Sequence, residues 1–238
     1  MNTDRKTARI VGVLYIIGTV AGILSLPVLL APILGAPDYL RQFSANKTIV
    51  ITGALLVVIM GVALAMVPVM MFPVLKRQNK ALALGYVVFR ALEATTYIAA
   101  AISWLLLVTL SQEFAKAGFP DASYFQTLGA LLLGAGDWIN PILTIVFILG
   151  ALTFYSLLYQ SKLIPRSISI WGLIAAIPYP AAGLLGMFGL ISRSSTTQTV
   201  MVFPLALQEM VLAVWLIVKG FDSSAIASLS TKTDMNRA

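Results

Sequence analysis

Residues 81–110 read ALALGYVVFRALEATTYIAAAISWLLLVTL. Every position is apolar, small or hydroxylic except two, Arg90 and Glu93. A helix needs about 20 such residues to cross a hydrocarbon core about 30 Å thick, so this run spans a bilayer with length to spare. It carries a positive and a negative charge three residues apart, near mid-membrane. Ionisable groups at that depth are costly to hold, which makes this stretch the first place to look for a functional site.

The rest of the chain belongs with this run. Of the 238 residues, 59% are hydrophobic and 11% charged, with a mean hydropathy of +0.93. Soluble domains carry about 25% charged residues. Several further apolar runs have spanning length, so the fold class is all-α: a polytopic transmembrane helix bundle of about six spans. The first span covers 10–34, with Gly18 and Gly22 as a small-residue contact and Pro27 and Pro32 kinking or ending it. A cleavable signal peptide is the competing reading, but an apolar run of about 25 residues exceeds a signal core. The second span covers 48–75, with Pro68 and Pro73 breaking its last turns, and 81–110 is the third. A polar loop at 111–124 follows.

The run 125–159 is too long for one straight crossing, and Gly134, Gly136, Asp137, Asn140 and Pro141 interrupt it. It reads as an outer or re-entrant piece followed by a fourth span at 139–159, with a single long kinked helix as the alternative. The fifth span is 167–191, broken at Pro178-Tyr179-Pro180, and the sixth is 197–218. Residues 1–220 form one domain, and the polar stretch 221–238 reads as a disordered cytoplasmic tail.

Orientation follows from Lys and Arg. Eleven of the 16 fall on one side: Arg5, Lys6, Arg9, Lys76, Arg77, Lys80, Lys162, Arg166, Lys219, Lys232 and Arg237. Arg41, Lys47, Lys116 and Arg193 fall on the other. The positive-inside rule then puts both termini in the cytoplasm of a multi-pass protein of the cell membrane. The same distribution accounts for the net charge of +7, so nucleic acid is not an expected partner. Membrane lipids are, together with a small-molecule or lipid-like ligand or a membrane-protein partner. With no cysteine and no histidine, thiol–disulfide chemistry and Ser-His-Asp or Cys-His nucleophiles are excluded. No metal site, cofactor or catalytic residue is assigned.

Four segments carry a resemblance: RIVGVLYIIG at 9–18, FRALEA at 89–94, LIPR at 163–166 and EMVLAVWLIVKG at 209–220. Together they resemble a bacterial membrane family of the domain-of-unknown-function type, numbered 4386, over most of the chain. The resemblance implies several membrane spans and no assigned activity.

Depth brings the polar residues together. At about 1.5 Å per residue, Arg90 lies about 14 Å from the basic end of its span and Glu93 about 18 Å. Glu209, on the antiparallel sixth span, lies about 15 Å from Lys219, Thr19 about as deep, and Tyr179 about 17–20 Å in. Arg90, Glu93 and Tyr97 share one helical stripe. The candidate ligand- or proton-binding residues are therefore Arg90, Glu93, Tyr97, Tyr179 and Glu209, with Thr19, Asp137 and Asn140 secondary.

Two readings stay open. The charges hold helix register without chemistry, or they line a pocket. One Arg against two Glu leaves one negative charge unbalanced, so either a carboxyl is protonated or a cationic group fills the gap. Asp137, about 33 Å from Tyr159, falls at the outer interface as a cap or pore-mouth residue. Tyr179 is a kink residue or part of a discontinuous-helix site. At the level of function the chain reads as a small transporter or binder of an amphipathic molecule. The alternatives are an accessory or sensory subunit, or an intramembrane enzyme using a Glu as acid or base.

Overall fold

The computed structural model describes residues 3–118, 123–191 and 196–235, so Arg193 and Arg237 of the charge reading lie outside it. Among the described residues there is no strand, and six helical segments are long and apolar enough to cross a membrane. They are Thr3–Leu34, Lys47–Leu75, Lys80–Lys116, Ser123–Ser161, Arg166–Met187 and Thr196–Val218. Their outward side chains, among them Leu55, Ile59, Val62, Leu92 and Ile102, are exposed and apolar. That is the pattern of a bundle solvated by lipid.

The first span is helix α1 (Thr3–Ile23), a π-helical stretch (Leu24–Leu30) and the short α2 (Ala31–Leu34). Pro27 lies in the π stretch; its ring removes a backbone donor and crowds the preceding turn, which widens the helix there. Ser25 donates to the Gly53 carbonyl at 2.7 Å, tying the widened turn to the next span. The expected loop at 35–47 carries a short helix, α3 (Tyr39–Ala45). α4 (Lys47–Leu75) is not broken by its prolines, since Pro68 and Pro73 both lie inside the helix. α5 (Lys80–Lys116) starts on the Asn79 side chain, which accepts from the Leu82 N–H at 3.0 Å, and runs past the expected loop start at 111.

The fourth span differs from the preferred sequence reading. α6 (Ser123–Ser161) is one continuous helix with Pro141 inside it, so no re-entrant piece exists at 125–138. Side chains bridge the turn around the proline: Asn140 donates to the Gly136 carbonyl at 3.0 Å and Thr144 to the Asn140 carbonyl at 2.9 Å. Asp137 thus lies inside the helix and not at its start. The fifth span is α7 (Arg166–Ala175) followed by α8 (Pro178–Met187), interrupted just ahead of Pro178 as the sequence suggests. α9 (Thr196–Val218) completes the six.

The polar C-terminal stretch is also corrected. Residues Ser223–Met235 form a helix, α10, in place of a disordered tail, and 236–238 lie outside the described residues. Asp222 starts it by accepting from the N–H groups of Ser224 and Ala225 at 2.9 and 3.0 Å. Ala225 and Leu229, four apart on one stripe, are buried against the bundle. Composition marks this segment as polar; the period shows it has one apolar stripe to bury.

Packing places α5 between α4 and α6, and α1 against α4 and α9. Small residues permit the close approaches. A Cβ at Gly12 would meet the Ala213 carbonyl oxygen of α9 at 2.6 Å, and one at Gly172 would meet the Tyr155 ring at 2.6 Å. The larger core includes Tyr15, Val67, Met71, Tyr86, Phe154, Tyr155 and Leu212. A smaller core holds Leu30, Phe43, Val50, Trp104 and Leu107. The charged pair of α5 lies in the sequence between the residues it gives to these two cores.

Candidate functional site: a buried ion triad on a small cavity

α5 contributes a stripe of four polar or aromatic side chains, Tyr86, Arg90, Glu93 and Tyr97, spaced four, three and four apart. Arg90 and Glu93 are each about 1% exposed at the side chain. Arg90 donates through Nη1 to both Glu93 oxygens, at 3.1 and 2.9 Å, and through Nη2 to Glu209 Oε1 at 3.2 Å. Glu209 reaches in from α9 and keeps 17% side-chain exposure. The shared depth of Arg90 and Glu209 in the sequence is thus matched by direct contact. The guanidinium also lies over the rings of Phe147 and Tyr86, with 5.1 and 5.8 Å from its carbon to the centroids. Tyr97 donates to Glu93 Oε1 at 3.1 Å.

A cavity of about 150 Å³ opens on this triad. Thr19, Arg90, Glu93, Tyr97, Tyr179 and Glu209 all line it, with Phe147 closing one side. The sequence candidates near mid-membrane therefore come from four different spans to one small space. A second cavity of about 560 Å³ lies further along α5 and α6, among Leu26, Pro27, Trp104, Asp137, Asn140 and Leu143. Asp137 and Asn140 belong to it, several turns away from the ion triad along the bundle. Tyr97 and Met60 line both cavities. The π stretch forms part of the larger cavity's wall, so the widening around Pro27 helps make the space.

A profile described as Domain of unknown function (DUF4386) matches residues 10–220. The chain belongs to the DUF4386 family. No curated protein and no solved structure matches it. The match takes in all eight candidate residues and ends at Gly220, so α10 lies beyond the DUF4386 segment.

Sequence reasoning missed part of this DUF4386 polar core. Tyr15 and Tyr86 are buried with their hydroxyls 3.2 Å apart. The Tyr155 hydroxyl donates to Gln208 Oε1 at 2.6 Å, and Gln208 Nε2 donates to the Ile168 carbonyl at 3.0 Å. Tyr86 stacks on Phe154 with centroids 4.5 Å apart. Tyr86 sits one turn before Arg90 and was findable by extending the stripe four residues back. Gln208 was findable as a polar neighbour of Glu209 inside an apolar span. Nothing local marks Tyr15 or Tyr155, whose partners lie on other helices.

Proposed function

We propose that this multi-pass membrane protein binds a small amphipathic molecule, with its apolar body in the larger cavity and a donor headgroup at the ion triad. Pockets for such ligands are mostly apolar, with a few convergent polar groups to fix orientation. The observation that carries the reading is Tyr97: it lines both cavities and its hydroxyl holds Glu93. A rotation of one side chain would join the two spaces into a single elongated pocket.

The headgroup chemistry follows from counting bonds. Two carboxylates offer four acceptor oxygens, each with room for about two hydrogen bonds. Among the described residues the donors reaching them are Arg90 and the Tyr97 hydroxyl. Glu209, partly exposed to the small cavity, receives one bond from Arg90. The site is rich in acceptors and carries one excess negative charge, which complements an amine. The location we infer is the cell membrane with both termini cytoplasmic, on the eleven-to-four division of basic residues.

The alternative of an accessory subunit with structural charges is favoured by one feature, the contact of Arg90 with both carboxylates. Fluorescence of a variant that keeps Trp104 as its single tryptophan, in lipid nanodiscs, separates the readings. Titration with dodecylamine should give a saturable change, and dodecanoate of equal length should not. Glu209→Gln should weaken the amine response about tenfold, the worth of about 1.4 kcal/mol. Equal, non-saturable responses to both probes would reduce the cluster to a structural role.

A further inference from the structure

A different cavity lies at the basic end of the bundle. It measures about 530 Å³ and is formed where the 162–165 loop and the start of α7 meet the end of α9 and the start of α10. Lys162, Arg166 and Lys219 line it, with Trp215 and Phe221 as its apolar wall. The one acid in the lining is Asp222. Its Oδ1 is occupied at the start of α10 by the Ser224 hydroxyl and by the N–H groups of Ser224 and Ala225. None of the three cations is in an ion pair among the described residues. Three positive charges thus converge on one space with their nearest acid already engaged.

The frame around them is ordered. The Asp222 N–H donates to the Leu163 carbonyl at 2.9 Å, which clamps the 162–165 loop to the end of α9. The Arg166 guanidinium lies over the Tyr159 ring, 4.9 Å from its centroid, which restricts where it can reach. Lys162 has φ +55°, a left-handed backbone that a glycine would adopt without strain. The residue at this position is a lysine, and it lines the cavity. The start of α7 adds the positive end of a helix dipole.

We propose that this cavity binds the phosphate-bearing headgroup of an anionic phospholipid from the surrounding leaflet. Arg offers a fork that matches two phosphate oxygens, and Lys adds point charge and donors. Trp215 sits where the headgroup gives way to the acyl chains, the level that tryptophan prefers. Basic pockets between helices at the cytoplasmic surface recognise lipid headgroups in this way. A soluble phosphate compound shares the recognition chemistry, but the apolar wall of Trp215 and Phe221 and the site's place at the ends of two spans favour a lipid.

Native mass spectrometry of the purified full chain, loaded with phosphatidylglycerol or phosphatidylcholine, tests this. Phosphatidylglycerol should be retained at least about tenfold more than phosphatidylcholine, and the triple change Lys162→Gln, Arg166→Gln and Lys219→Gln should abolish the preference. The control, Lys6→Gln, Lys76→Gln and Lys80→Gln, removes equal charge from the same end and should leave the preference within about twofold. Arg166→Lys alone should keep most of it, which guards against a folding defect. If both triple variants lose the preference equally, the attraction is diffuse surface charge and the site is refuted. If glycerol phosphate in solution displaces the lipid at equal concentration, the lipid assignment is overturned.

Discussion

The two glutamates of the ion triad should not be equivalent, and the difference is measurable. Glu93 takes two bonds from one Arg90 nitrogen and one from Tyr97, with about 1% side-chain exposure. Glu209 takes one bond at 3.2 Å and is 17% exposed on a cavity. Replacing Glu93 with Gln leaves an amide facing a fully buried guanidinium. Breaking a buried pair in this way costs about 3–5 kcal/mol. Replacing Glu209 with Gln leaves a carbonyl that can still accept from Nη2, so the loss is nearer about 1 kcal/mol, the net worth of one ordinary hydrogen bond. For a domain of this size each kcal/mol moves Tm by about 2–4 °C. Glu93→Gln should therefore lower Tm by about 6–20 °C and Glu209→Gln by about 2–4 °C, in the same detergent at neutral pH. A double-mutant cycle with Arg90→Met should assign the larger coupling to Glu93, because the cycle removes effects that each single change has elsewhere. Equal shifts for the two Glu variants, or a larger one for Glu209→Gln, would refute the argument from burial and bond count. Two harmless substitutions would show that the triad does not hold the fold.

Packing, topology and the C-terminal helix each give a further test. Gly12→Ala should destabilise by about 1–3 kcal/mol, because its Cβ would strike the Ala213 carbonyl at 2.6 Å, a backbone atom that cannot move aside. Gly134→Ala, where a Cβ meets nothing within 4 Å, should be neutral or stabilising by up to about 1 kcal/mol in the same thermal melt. Reporter fusions after Gly220 and between α5 and α6, within 117–122, should read cytoplasmic and external respectively, and both on one side would sink the six-span topology. Leu229→Ala should cost about 2–3 kcal/mol of α10 docking, seen as faster proteolysis of 219–235. The Asp222 carboxyl is held below its ordinary value of 3.8 by the Ser224 hydroxyl and the neighbouring N–H groups. Its support for α10 is therefore full above that pH and fades as pH falls through the lower folded value, so proteolysis should accelerate only under strong acid.

What the sequence discloses here depends on the range of the interaction. Membrane spans are legible because length and apolarity are local, and all six appear in the structure. The meeting of Arg90 and Glu209 is legible because antiparallel spans convert position along the chain into depth. The continuity of α6 was not, since Pro141 is a breaker in water, whereas a membrane helix packed in a bundle accommodates a proline. The widened turn at Pro27 is tied to the next span through Ser25, whose partner Gly53 lies 28 residues away. The order of α10 was hidden because its apolar stripe is narrow, and burial of Ala225 and Leu229 depends on a surface made by other helices.

The placement of tyrosines around the triad bears on how a charge cluster persists in a low-dielectric interior. Water would solvate Arg90 and the carboxylates from every side, but a hydrated core would not pack. Aromatic side chains replace part of that solvation. The faces of Tyr86 and Phe147 carry negative quadrupole toward the guanidinium, and the Tyr97 hydroxyl donates to Glu93. The Tyr15 hydroxyl pairs with that of Tyr86, and the Tyr155 hydroxyl with Gln208. This arrangement covers Arg90 and Glu93 closely and leaves Glu209 facing the 150 Å³ cavity. On the proposed reading, stability and ligand capture are separated within one cluster. Glu93 anchors the Arg90 guanidinium from the same helix, and Glu209 presents acceptor capacity to a ligand that enters past Tyr97. Tyr97→Phe separates these roles without disturbing the ion pairs. It removes one donor from Glu93, so stability should fall by about 1 kcal/mol. The barrier between the cavities would lose its hydrogen bond, and dodecylamine should reach Glu209 faster. A Tyr97→Phe variant with unchanged amine on-rate would mean that Tyr97 is no gate.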